Sequence, residues 1–113
     1  MLNTTIKAKF IEARIEASPI AIAPFVPLGA PIDQPLRILK ISNTTDQGII
    51  LSTDGVTIHD YIASNGFILY DLGTNRASQG SSLQFATGTQ FYIASEVLTT
   101  TGNVILTGIY SGV

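Results

Sequence analysis

Residues 36–72 read LRILKISNTTDQGIILSTDGVTIHDYIASNGFILYDL. Short runs rich in Ile, Leu, Val, Tyr and Phe are separated by clusters of Asn, Asp, Ser, Thr and Gly. The apolar runs are too short for helices and are bounded by turn-forming residues, so strands are predicted at 36–42, 49–52, 56–62 and 67–72. Asp54-Gly55 and Asn65-Gly66 are strong hairpin signals, because both pairs tolerate the positive φ of a tight turn.

The same rhythm continues downstream. SLQFA (82–86), QFYIASEV (90–97) and VILTGIY (104–110) are further β runs, separated by TGT and LTTTGN. Runs at roughly 8 to 12-residue spacing, without helical periodicity, predict an all-β fold. The expected form is a small antiparallel β-sandwich, jelly-roll-like or Ig-like, over residues 36–113.

Upstream of residue 36 the pattern changes. In TTIKAKFIEARIEAS (4–18), apolar and charged residues alternate, but the alternation slips by one residue between Phe10 and Ile11. A strand with a bulge at the slip accounts for this, since a bulge inserts one residue and restores the faces. A short helix competes, because Ala, Glu, Lys and Arg favour helices. All five prolines then follow within 17 positions, at 19, 24, 27, 31 and 35. They bar a helix or a central strand and predict an extended, polyproline-like stretch that would reach roughly 50 Å if fully drawn out. Ile20, Ile22, Phe25, Val26, Leu28 and Ile32 make this stretch apolar, so it has to be buried somewhere. The expectation is that residues 1–35 form an N-terminal strand and extended arm, and that these six side chains contact a neighbouring subunit.

Composition points the same way. Of 113 residues, 45% are hydrophobic and only 12% are charged, with a net charge of −2. Charge is about half the usual share, so the surface is poorly protected against association. That favours a chain that works inside an assembly, and a homo-oligomer is expected. Lys7, Lys9 and Arg14 are interleaved with Glu12 and Glu16, so no basic path exists for a phosphate backbone and nucleic acid is not an expected partner. The absence of cysteine excludes disulfides, thiolate metal sites and Cys nucleophiles. No signal peptide or membrane-spanning helix is expected.

STDGVTIHDY (52–61) holds the residue types of a hydrolase triad, including the only histidine. On a strand after the Asp54-Gly55 turn, Thr57, His59 and Tyr61 share one face, and Val56, Ile58, Asp60 and Ile62 the other. His59 and Asp60 then point apart and cannot act as base and orienter. No G-x-S-x-G elbow surrounds Ser52. Asp46, Asp54, Asp60 and Asp71 would suit calcium if their loops met, yet no D-x-D-x-D-G loop is present and turn roles explain Asp46 and Asp54. Dispersed aromatics without tryptophan favour core packing over a glycan platform. No catalytic residue, metal or cofactor is therefore expected. Asp60, on a core face, is expected to meet a backbone amide or an arginine, Arg37 or Arg76.

Several of these elements recur together. They are Asn43-Thr44-Thr45-Asp46 at a strand end, Ser52-Thr53-Asp54-Gly55-Val56-Thr57, and His59-Asp60-Tyr61. Asp71-Leu72 with Thr74-Asn75, the Gly88-Thr89-Gln90 turn and Gly102-Asn103-Val104-Ile105-Leu106 leading to Tyr110 complete the set. Over residues 36–113 this pattern resembles small virion structural proteins of tailed bacteriophages. The resemblance implies a non-enzymatic β-sandwich of the particle, assembled in the host cytoplasm. Its expected role is capsid cement or decoration, with the major capsid protein or a portal or adaptor protein as partner. A head–tail connector or collar component is the alternative within the particle, and a glycan- or host-surface-binding module the alternative outside it.

Overall fold

A computed structural model describes residues 7–72 and 84–112. The described chain is all-β, without helix, and builds two antiparallel sheets. The strands are β1 (Lys7–Phe10), β2 (Arg14–Ala17), β3 (Val26–Pro27), β4 (Ile38–Asn43), β5 (Ile49–Ser52), β6 (Asp60–Ile62), β7 (Gly66–Asp71), β8 (Tyr92–Ser95) and β9 (Asn103–Gly112). The five-stranded sheet runs β1-β9-β4-β7, with β2 also on β9, and the four-stranded sheet runs β3-β8-β5-β6.

The one-residue slip near Phe10 has a structural counterpart. Phe10 pairs with Ile109 but Arg14 pairs with Leu106, so the N-terminal segment carries one residue more than β9 between these pairs. β1 and β2 are thus one strand bulged at residues 11–13, paired within its own chain. Ile11 turns into the core at the bulge, its amide donating to the Gly108 carbonyl.

The core lies between the sheets. Leu39, Ile41, Val104 and Leu106 come from the five-stranded sheet and Ile49, Leu51 and Ile93 from the other, all buried. Gly108 faces the same interior, where a Cβ would strike the Leu36 side chain; its absence lets Leu36 seat against β9. Each fully buried Leu or Ile contributes about 1.5–3 kcal/mol relative to exposure.

The strands expected at 36–42, 49–52, 67–72 and 104–110 are present with small changes of boundary. The run at 90–97 narrows to β8. Of 82–86 the described residues are 84–86, and among them Phe85 pairs, as an isolated bridge to Leu36. VTIHDYI forms a strand only at Asp60–Ile62. The Asn65-Gly66 turn forms, with Asn65 at φ 59° and the Gly66 amide on the Ala63 carbonyl. It carries the chain from β6 in one sheet to β7 in the other, so it is not a hairpin turn.

The proline-rich stretch belongs to the same body. The Leu28 amide donates to Phe91, the Ile32 amide to Thr89, and Val26 pairs with Ile93. The stretch therefore forms the edge of the four-stranded sheet, where proline is tolerated. Residues 7–35 contribute to both sheets, so the boundary expected at residue 35 falls inside the fold.

Candidate functional site

Three places hold the residues singled out in the sequence. The first is the loop that follows Ser52. The buried Ser52 hydroxyl accepts from the amides of Asp54 (3.2 Å) and Gly55 (3.0 Å) and donates to Asp54 Oδ1 (2.9 Å). Asp54 Oδ1 accepts from the amides of Val56 (2.8 Å) and Thr57 (2.7 Å). These side chains capture the amides that a two-residue hairpin would pair across a ladder, so 53–59 is a loop and not turn plus strand. His59 Nδ1 accepts from the Thr53 amide (3.0 Å), closing it. Ser52 and Asp54 are thus bonded directly while His59 bonds elsewhere, which is not the relay of a triad.

The amides of Thr57 and Val56 hold the Asp54 carboxyl far below its ordinary value of 3.8. Thr100, through its amide and then its hydroxyl, lowers Asp46 in the same direction. A depressed carboxyl stabilises the fold above its ordinary pKa and loses that contribution as pH falls through the folded value. The amide resonances of Val56 and Thr57 are therefore expected to shift together on acidification, with a midpoint below pH 3.8. A midpoint at or above that value would contradict the bonding. Asp54→Asn, which retains an acceptor oxygen, is expected to keep the loop and abolish the titration.

The second place is Asp60. It is half-buried at the start of β6, with Oδ1 accepting from the Tyr61 amide (2.8 Å) and Oδ2 from the Tyr70 hydroxyl. Of the two alternatives expected, an amide or an arginine, the amide is there; the Tyr70 hydroxyl is a second partner, and Arg76 lies outside the described residues. Tyr70 stands on β7, so this bond ties the edges of the two sheets. Its ring meets Phe85 edge-on at 5.7 Å, and Phe85 meets Phe91 at 5.5 Å. Burial, then the bond to Asp60, then the carboxylate charge push the Tyr70 hydroxyl well above its ordinary value. Asp46, Asp54 and Asp60 thus serve three separate local structures. Among the described residues no three acidic or histidine side chains gather as a metal site.

The third place is a surface. Of the six side chains expected to face a neighbour, Ile20, Leu28 and Ile32 are buried in the chain's own core. Correcting that expectation follows from the backbone: the amides beside the prolines bond to β8 and to the segments flanking it, which turns these residues inward. Phe25 and Val26 are half-buried, and Ile22 is 61% exposed.

The larger apolar surface lies elsewhere, on the outer side of the five-stranded sheet. Directly paired residues share a face. Phe10, Ile109, Ile38 and Asp71 form one row across the sheet; Thr107, Lys40 and Leu69 form the next; Ile15, Ile105, Ser42 and Phe67 form a third. Phe10 is 73% exposed, Phe67 61%, and Ile15 and Leu69 55% each. An antiparallel sheet with one wet face ordinarily alternates apolar-in with polar-out. This one is apolar on both sides. The bulge matters here: the extra residue keeps Ile15 on the same outer face as Phe10. From strand spacing and rise the face covers roughly 400 Å², within the range of a monomer's largest patch.

Lys40 is the one cation on this face, its Nζ 4.8 Å from the centre of the Phe67 ring. Beside it a shallow depression of about 140 Å³ is lined by Phe10, Ile38, Lys40, Leu69, Thr107 and β9 backbone. That is below the ~300 Å³ at which small-molecule pockets begin. The face was missed in the sequence because alternation separates two faces without saying which one is covered. The signal was present in β9, whose VILTGI is apolar at nearly every position. No family model matches this chain, nor does any curated protein or solved structure.

Proposed function

We propose that this chain is a non-catalytic structural subunit of a tailed-phage particle, acting as a capsid cement or decoration protein. The observation that carries the reading is the five-stranded sheet with apolar residues on both faces. An exposed apolar face of this size is on the scale of functional patches, and a covering protein would bury it. The depression on it suits a side chain and not a metabolite. The strand order adds support. With β1 and β2 counted as one bulged strand, β1/β2-β9-β4-β7 against β3-β8-β5-β6 is the order of a double-sheet jelly roll, which recurs in viral capsid and lectin domains. Fold class alone does not assign function, so the particle enters through the motif resemblance in residues 36–113.

The test is binding to heads of the phage that carries the gene, prepared without this protein. The full chain is expected to co-sediment with them at saturable occupancy. Phe10→Asp with Leu69→Asp should weaken binding by on the order of 100-fold, as for loss of a central apolar anchor. Binding confined to portal or tail parts would replace decoration with the connector role. Binding to glycans but not to heads would overturn the reading.

A further inference from the structure

We infer that the outer face of the five-stranded sheet receives a second copy of this chain through the loop Glu96-Val97-Leu98, with Glu96 of one copy on Lys40 of the next. The inference deepens the assembly reading above and rests on it: on a head the face is covered by the neighbouring copy, and loss of that contact is what weakens head binding in the Phe10→Asp, Leu69→Asp chain.

The loop has the chemistry the face lacks. Val97 and Leu98 are 53% and 52% exposed, and Glu96 is exposed beside them. Ile22 is also exposed, on a segment that brackets the loop: the Ser95 amide donates to Ala21 (2.9 Å) and the Thr99 amide to Ile20 (3.2 Å). Ser95 and Thr99 are buried, and the Ser95 hydroxyl donates to the Val97 carbonyl. The three residues are thus held as a braced knob, which lowers the ordering cost of docking.

Charge then selects the pairing. Among the described residues, the contact found for Lys40 is the Phe67 ring, and no carboxylate reaches it. A cation amid apolar side chains is covered favourably only if the partner brings an anion. Asp33, Asp46, Asp54 and Asp60 are held by groups of their own chain, Asp71 stands on the receiving face itself, and Glu12 and Glu16 belong to the bulged strand at its edge. Glu96 is followed directly by two exposed branched aliphatic side chains, and the depression of about 140 Å³ beside Lys40 would receive one of them. A symmetric face-to-face pair is disfavoured, because Lys40 stands in the middle of the face and would approach its own copy.

Knob and face are different surfaces, so the contact either closes reciprocally as a two-fold pair or repeats head-to-tail as a ring or an open chain. The experiment is sedimentation of the full chain over a concentration series. Wild type is expected to associate. Lys40→Glu alone and Glu96→Lys alone should each weaken association by on the order of 100-fold, since each puts like charges together. The double variant, and an equimolar mixture of the two singles, should both recover it. A Glu96→Lys variant that associates like wild type overturns the inference, as does failure of both rescues. A wild-type chain that stays monomeric while still binding heads overturns it too, and leaves the assembly reading standing. Loss of both behaviours sinks both.

Discussion

Replacing Asn43 with leucine is expected to destabilise the fold by about 3–4 kcal/mol, lowering the urea midpoint with little change in slope. Asn43 ends β4 and is fully buried. Its Nδ2 donates to the carbonyls of Gln47 (2.8 Å), Ile62 (3.0 Å) and Ala63 (3.2 Å). Its Oδ1 accepts from the Thr45 amide (2.9 Å) and hydroxyl (2.6 Å). One side chain therefore satisfies two loops and the end of β6 at once. Leucine fills a similar volume but takes the acceptor from the Thr45 amide and the side-chain donor from the Ile62 carbonyl, while Gln47 and Ala63 keep the Thr45 hydroxyl and the Gly66 amide. Each buried group left unpaired costs roughly 1–3 kcal/mol. Against a total stability of about 5–15 kcal/mol, the loss is large. Asn43→Asp separates size from bonding. It keeps the acceptor but turns an oxygen toward three carbonyls, so it should be at least as damaging at neutral pH and recover partly in acid. A leucine variant within 1 kcal/mol of wild type would refute the account.

Asn43 also shows what the sequence can carry. Its place at a strand end was readable, since Asn-Thr-Thr-Asp follows an apolar run; Asp46, expected to cap its own loop, instead bonds the amide and hydroxyl of Thr100 in a distant segment. That Asn43 is buried, and bonded to residues about 20 positions away, depends on how two sheets stack. The same division runs through the molecule. Strands β4, β5, β7 and β9 were legible because alternation and turn residues are local. The bulge was legible because it breaks a local period. The 53–59 loop was misread because Ser52 and Asp54 compete with the ladder for amides, a contest that propensity does not decide. The proline stretch was legible as apolar and non-helical, yet its hydrogen-bond partners lie about 60 residues later, so half of the six apolar side chains singled out turn inward unannounced.

The apolar outer face has a further consequence for register. Side chains on a strand change face at every residue, so a one-residue slip of β9 would exchange its core and outer sets. In β9 those sets are both apolar, with Val104 and Leu106 inside and Ile105 and Ile109 outside. Hydrophobicity alone therefore discriminates weakly between registers, and something else must fix the strand. The N-terminal end of β9 supplies it. The Asn103 amide donates to the Thr44 hydroxyl (2.9 Å), the Thr44 amide to the Asn103 carbonyl (2.9 Å), and the Ser18 amide to the Gly102 carbonyl (3.0 Å).

Gly102→Ala is accordingly expected to destabilise by about 3–5 kcal/mol, from two separable causes. Gly102 has φ +85°, where an L side chain is strained by roughly 1–2 kcal/mol. A Cβ there would also overlap the Thr44 carbonyl oxygen and stand 2.8 Å from the Thr45 Cα, which are backbone atoms and cannot rotate away. Gly88 isolates the first cause: it has φ +92° with nothing within 4 Å of a Cβ. Gly88→Ala should therefore cost only the strain, about 1–2 kcal/mol. Denaturant melts of the two variants give the steric part as their difference. Equal losses would mean that the Thr44 backbone yields freely, and that this junction does not hold β9 in register. If the difference is found, Gly102→Ala should also widen the amide resonances along β9, because a strand apolar on both faces then loses the contacts that choose between its two placements.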